Sequence, residues 1–229
     1  SDGRTIAFAA KVGERYQLFT WQLDDQNATV GTPVRLTHDE RADALFPAWS
    51  PDGTRLAYLS TDEEARTSLR VINGDGTGLN VLIQVNYAYA SPCWSPDGQM
   101  LLYIDKVAER NGTRLALRQY PVSGGPPVDI RKGSSISAAC YAPDGTQIAA
   151  LIRRTDGLSD LWVLAPGGLV GKAIVQKIAD ARGVSWPSEQ TIFFRANKVG
   201  DKTGFPFWTV APTGGVVKGF SGFAAIKQI

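Results

Sequence analysis

Trp49-Ser50-Pro51-Asp52-Gly53 decides the architecture, because it returns as Trp94-Ser95-Pro96-Asp97-Gly98. A third copy, Tyr141-Ala142-Pro143-Asp144-Gly145, keeps the Pro-Asp-Gly core. Trp186-Pro187-Ser188-Glu189-Gln190 is a fainter fourth, and Ser1-Asp2-Gly3 fits the tail of a fifth. Their last residues, Gly3, Gly53, Gly98, Gly145 and Gln190, stand 50, 45, 47 and 45 residues apart. Ser-Pro-Asp-Gly is turn chemistry. Pro presets φ at its second position, Asp suits the third, and Gly accepts the left-handed conformation that ends the turn. Such a turn joins two antiparallel strands.

A short apolar run follows each turn: Ile6-Ala7-Phe8-Ala9, Leu56-Ala57-Tyr58-Leu59, Leu101-Leu102-Tyr103-Ile104, Ile148-Ala149-Ala150-Leu151 and Ile192-Phe193-Phe194-Arg195. These runs do not alternate, so each is expected to be a strand buried on both faces. A third strand comes after a polar loop, as in Leu69-Arg70-Val71-Ile72 or Leu161-Trp162-Val163-Leu164. Gly-rich turns such as Asn73-Gly74-Asp75-Gly76 lead to a shorter fourth, as in Val34-Arg35-Leu36-Thr37 or Val81-Leu82-Ile83. Four short strands at this period make a propeller blade. No segment has a capped 3.6-residue period, so essentially no α-helix is expected.

The ends carry a further expectation. Phe223-Ala224-Ala225-Ile226 resembles Phe46-Pro47-Ala48-Trp49, the strand ahead of the turn. The chain therefore reads as an all-β, five-bladed propeller, one domain over residues 1–229, in which the last strand completes the first blade. That closure removes an open sheet edge and ties the two ends together. Ala48, Cys93, Cys140, Ser185 and Ala225, each just ahead of the last residue of a first strand, are all small, as expected where first strands converge on an axis. The opening at Ser1-Asp2-Gly3, in mid-turn, suggests a domain taken from a longer chain.

Composition narrows the function. The net charge of +2 argues against nucleic acid or an anionic surface. No apolar run approaches the roughly 18 residues that a spanning helix needs. The one histidine, His38, sits in a loop, with no second His or Cys at metal spacing. There is no Gly-x-Ser-x-Gly elbow and no phosphate loop. Asp75 and the Asp24-Asp25-Gln26-Asn27 stretch read as turns before calcium ligands. Cys93 and Cys140 read as small buried thiols, with a disulfide open as the alternative. Trp49, Trp94 and Trp186 belong to the core, while Trp21, Trp162 and Trp208 are expected between blades. No catalytic residue, metal or cofactor is expected.

These residues resemble the TolB-type, WD40-like propeller repeats of bacteria, whose signature is a Trp-Ser-Pro-Asp-Gly turn, an apolar strand and a Leu-Thr ending. Two copies match fully, and Leu36-Thr37 supplies the ending. The resemblance implies a bacterial, periplasmic or extracellular setting. TolB itself carries an additional N-terminal domain and six blades.

The loops between second and third strands, and those between blades, emerge on one face. They span Asp62 to Thr67, Lys106 to Thr113, Arg154 to Ser159 and Asn197 to Phe205, and they vary, unlike the turns opposite. Function concentrates in loops on a rigid scaffold, and Tyr and Arg are favoured anchors. The expected activity is non-enzymatic binding of a protein or peptide through Tyr87, Tyr89, Arg110, Arg153, Arg154 and Lys198, by a monomeric domain. The alternative is the gating propeller of an enzyme such as a prolyl-oligopeptidase-like peptidase.

Overall fold

The computed structural model describes residues 3–86, 90–110, 112–132, 135–165, 170–197 and 207–219, with the side chains of Glu109 and Lys132 left aside. Among them every regular element is a strand. The chain forms two compact units, Ser1–Asp129 and Ile130–Ile229.

The turn chemistry works as expected. Gly3, Gly53, Gly98 and Gly145 share one left-handed geometry, with φ of 72°, 71°, 70° and 73°. In the Trp49 copy, Asp52 accepts from the Ser50 hydroxyl and the Thr54 amide, and Ser50 Oγ accepts from Arg55 N–H. The Ser95 and Asp97 copy repeats this network. Asp144 keeps the amide bond, to Thr146. These hydrogen bonds favour the charged carboxylate: the Ser50 hydroxyl and then Thr54 hold Asp52 down at about 2. The fainter copy differs. Ser188 pairs directly with Thr191, so Glu189 and Gln190 form a two-residue turn, and neither takes positive φ.

In the first unit, β1 (Thr5–Val12), β2 (Arg15–Leu23) and β3 (Thr29–Arg35) form a three-stranded sheet. A second sheet runs β4 (Ala42–Trp49), β5 (Arg55–Asp62), β6 (Thr67–Asn73), β7 (Asn80–Val85) in chain order. The third contains β8 (Cys93–Trp94), β9 (Met100–Glu109), β10 (Gly112–Pro121) and, beginning at the unit's last two residues, β11 (Val128–Lys132). The apolar run of β5 explains their stacking. Leu56 and Tyr58 pack with Leu18 and Leu36 of the first sheet's chain segment. Their neighbours Ala57 and Leu59 pack with Trp94, Leu101 and Tyr103 of the third. A strand buried on both faces needs apolar residues at consecutive positions. Each fully buried leucine contributes about 2 kcal/mol.

Trp94 fastens the second and third sheets. Its ring NH donates to the Ala48 carbonyl at 2.9 Å, and Arg55 lies 5.0 Å over the ring. The Leu-Thr ending has a similar use. Leu36 N–H donates to Leu18 O, while Thr37 Oγ1 accepts from Leu18 N–H at 2.9 Å. The hydroxyl thus extends the β2–β3 ladder beyond β3.

The second unit contains β12 (Ser135–Tyr141), β13 (Ile148–Arg153), β14 (Ser159–Leu164), β15 (Gly171–Ser188), β16 (Thr191–Asn197), β17 (Phe207–Val210) and β18 (Lys218–Gly219). They form one seven-stranded sheet in chain order. The expected separate fourth and first strands are fused here. The front of β15 pairs with β14 and its rear with β16. Left-handed Lys177 and Asp180, at φ of 57° and 45°, accompany register shifts between the two halves.

Two expectations need correction. β1 is not buried on both faces: Ala7 and Ala9 pack on the core shared with the second sheet, while Ile6 is 40% exposed. The stretch from Lys106 to Thr113 is mostly strand, since β9 and β10 stay paired out to Glu109 and Gly112. Trp21, Trp162 and Trp208 are partly buried. The ring NH groups of Trp21 and Trp208 are held by Gly31 and Ala196 carbonyls. Both cysteines are free thiols, Cys140 buried and Cys93 half-buried. The expected closing strand at 223–226 lies outside the described residues.

Candidate functional site

In a meander of four antiparallel strands, the first and third turns lie at one end. The second turn and the exit to the next sheet lie at the other. The Pro-Asp-Gly turns mark the uniform end. The variable end is rich in charge, and its geometry shows which charges are already committed.

At that end of the first unit, Arg15 reaches Asp43 at 3.3 Å and Glu63 at 3.6 Å, and Asp43 accepts the Tyr16 amide at 2.7 Å. Asp62 builds the β5–β6 turn, accepting from the Glu64 and Arg66 amides, and Arg66 closes on Asp62 and Glu64. Burial works against the Asp62 charge, but the Arg66 amide and guanidinium hold its carboxyl below the ordinary range. Exposed pairs of this kind fix loop shape more than they add stability.

A deeper cluster lies on β9 and β10. Asp105, buried, accepts the Asn86 amide at 2.7 Å and Arg118 Nη1 at 3.0 Å. Arg118 Nε also reaches Asp129 at 2.8 Å. Burial works against the Arg118 charge, yet Tyr103, Asp105 and Asp129 hold it above its ordinary range. This cluster pins the exit from β7 to the body of the third sheet. Asp160 repeats the device in the second unit: it accepts the Lys177 amide at 3.0 Å and Arg154 at 3.4 Å.

The candidate residues sort accordingly. Arg154 is committed to Asp156 at 3.1 Å and to Asp160. The Asp156 hydrogen bond, foremost, raises its pKa. Arg110, at the β9–β10 tip, and Arg153, ending β13, are exposed and make no ion pair among the described residues. Tyr87, Tyr89 and Lys198 lie outside the described residues. Sequence reasoning missed Asp43, Asp105 and Asp160. The available signal was a carboxylate next to a buried apolar run, as in Tyr103-Ile104-Asp105, with Arg118 on the facing strand.

Exposed Arg110 and Arg153 can receive partner carboxylates as charge-assisted hydrogen bonds. His38 is exposed in its loop. Among the described residues no three His, Cys, Asp or Glu side chains gather as a metal site. Asp75 accepts from the amide and hydroxyl of Thr77, the hairpin role read from its sequence. No helix among the described residues is long and apolar enough to cross a membrane.

No protein-family model matches the chain. Among characterised proteins it is similar to the Tol-Pal system protein TolB of Azoarcus sp. (strain BH72), at 37% identity over 73 residues. That match spans 32% of this chain and 15% of that protein. Among solved structures, TolB from Acinetobacter baumannii gives a TM-score of 0.75 at 20% identity, over 94% of this chain and 52% of that one. A prolyl endopeptidase structure gives 0.64 at 16% identity, over 96% and 35%. The chain thus spans about half the length of the TolB structure that it matches. The fold is that of a TolB-type β-propeller.

Proposed function

We propose that this chain is a single-domain, five-bladed propeller that binds a protein or peptide partner in the bacterial envelope, without catalysis of its own. The likeness to TolB across 94% of the chain carries this reading. The related TolB of Azoarcus is named for the Tol-Pal system, which supports an extracytoplasmic setting and a protein partner. Residues 223–226 close the ring by pairing with the outer edge of β1. The partner meets the variable end, through Tyr87, Tyr89, Arg110, Arg153 and Lys198, with Arg154 shaping the loop beside Arg153. The domain is monomeric.

A photo-crosslinking residue placed at Arg153 or at Thr146 tests this in cells. The two positions flank opposite ends of β13. Crosslinks from position 153 alone are expected. Equal crosslinks from both, or from Thr146 alone, would overturn the assignment of the face.

The likeness to a prolyl endopeptidase supports a second reading, an accessory propeller beside a hydrolase domain. The sequence flanking this segment decides between them: a nucleophile-elbow domain there favours the second.

A further inference from the structure

The β2–β3 turn reads Asp24-Asp25-Gln26-Asn27-Ala28-Thr29. Asp24 builds it, accepting from the Gln26 and Ala28 amides at 2.8 Å each. Asp62 builds the β5–β6 turn with the same bonds, and there Ala65 holds the position of Asn27, at φ of 59° against 60°. The backbone therefore does not demand a carboxamide at residue 27.

Asn27-Ala28-Thr29 is an Asn-x-Thr acceptor sequence with no proline at its centre. Asn27, Ala28 and Thr29 are all exposed. The Asn27 carboxamide makes no hydrogen bond among the described residues. Asp25, two residues ahead, is 83% exposed and paired with Arg4 at 2.9 Å. β3 is an edge strand with exposed residues along nearly its whole length, and its register with β2 breaks between Thr20 and Gln22. The tip can open into an extended acceptor without uncovering core, as weakly packed edges do.

We propose that Asn27 is the acceptor of an N-linked glycan from a polyprenyl-diphosphate-linked oligosaccharide. Asn27 Nδ2 attacks the anomeric carbon of the first sugar. A C–N bond forms as the C–O bond to the diphosphate breaks, Nδ2 gives up one proton, and the polyprenyl diphosphate leaves. The glycan would stand on the uniform end of the sheets, away from the proposed partner face. Its occurrence in the cell rests on the extracytoplasmic setting proposed above; the chemistry at Asn27 does not. Glu109-Arg110-Asn111-Gly112-Thr113 repeats the pattern, but Asn111 lies outside the described residues and the proposal is confined to Asn27.

The test incubates the purified, folded chain with a bacterial oligosaccharyltransferase and undecaprenyl-diphosphate-linked oligosaccharide. Trypsin then releases residues 16–35, in which Asn27 is the sole asparagine. The expected result is one glycan mass on this peptide. It is lost in Asn27→Gln and in Thr29→Ala, while Asn27→Gln stays folded, its urea midpoint lowered only by the small cost of a left-handed glutamine. An unmodified peptide from the folded chain overturns the proposal, whether or not a synthetic peptide of residues 16–35 accepts the glycan. A glycan added in vitro to a chain found in the cytoplasm keeps the acceptor chemistry and removes the envelope reading instead.

Discussion

Replacing Asp105 with alanine isolates the buried cluster on β9 and β10. The carboxylate is 3% exposed and Arg118 18%, so solvent screens their 3.0 Å contact little. The substitution also removes the acceptor of the Asn86 amide at 2.7 Å. Breaking one side of a buried ion pair costs about 3–5 kcal/mol. Asp129 still holds Arg118 at 2.8 Å, and Asn86 is exposed enough for water to reach its amide. Both place the cost near the lower end, about 3 kcal/mol. That lowers Tm by roughly 6–12 °C for a chain of this size. The assay is urea unfolding followed by tryptophan fluorescence. Asp105→Asn, which keeps an acceptor for Asn86 and loses the charge, should fall between parent and Asp105→Ala. An Asp105→Ala loss below about 1 kcal/mol would mean that the pair contributes no more than a surface contact, refuting the argument that it pins the β7 exit.

Gly98→Ala should cost about 1–2 kcal/mol in the same assay, from φ alone, since a Cβ there meets only Pro51 Cδ at 3.9 Å. Gly76→Ala should cost more, because at φ +86° its Cβ also presses to 3.2 Å from the Leu36 carbonyl oxygen; equal costs would discount that contact. Ala65→Gly should stabilise the chain by about 0.5–1 kcal/mol by relieving a left-handed alanine; a loss would contradict the geometry of the Asp62 turn. The Tyr103 hydroxyl is buried without a hydrogen-bond partner among the described residues, and burial pushes its pKa up to about 12. A phenol raised above its unfolded value near 10 gives its full stability below pH 10 and loses it between pH 10 and 12. Tyr103→Phe should match or exceed the parent at pH 7, by up to about 1 kcal/mol, and lose less stability over pH 10 to 12; a weaker variant at pH 7 would reveal a partner for the hydroxyl.

What the sequence disclosed followed from local chemistry. Pro-Asp-Gly needs one turn geometry, and Leu56 to Leu59 needs apolar cover on both sides, so turns and inner strands were legible. Lys106 to Thr113 was misread because an exposed hairpin tip has the polarity of a loop while its backbone stays paired. The fusion within β15 was hidden for a different reason. Lys177 and Asp180 take left-handed conformations that their residue types do not advertise, and the Lys177 amide is held by a carboxylate seventeen residues away. Arg153 and Arg154 look alike in sequence; only the fold shows Asp160 beside the second. Exposure of Ile6 depends on what packs on its face of the sheet, which no local pattern carries.

The central claim is a five-bladed ring closed by residues 223–226 against β1. Residue-by-residue amide hydrogen exchange by NMR reads it directly. Every second amide of β1 faces β2, and the alternate set faces the other edge. A closed first blade predicts slow exchange at both sets from Ile6 to Ala9, the span that the end of β4 covers on Leu56–Leu59 in the second sheet. Free exchange at the set facing away from β2, with the other set protected, would contradict closure and the count of five blades with it.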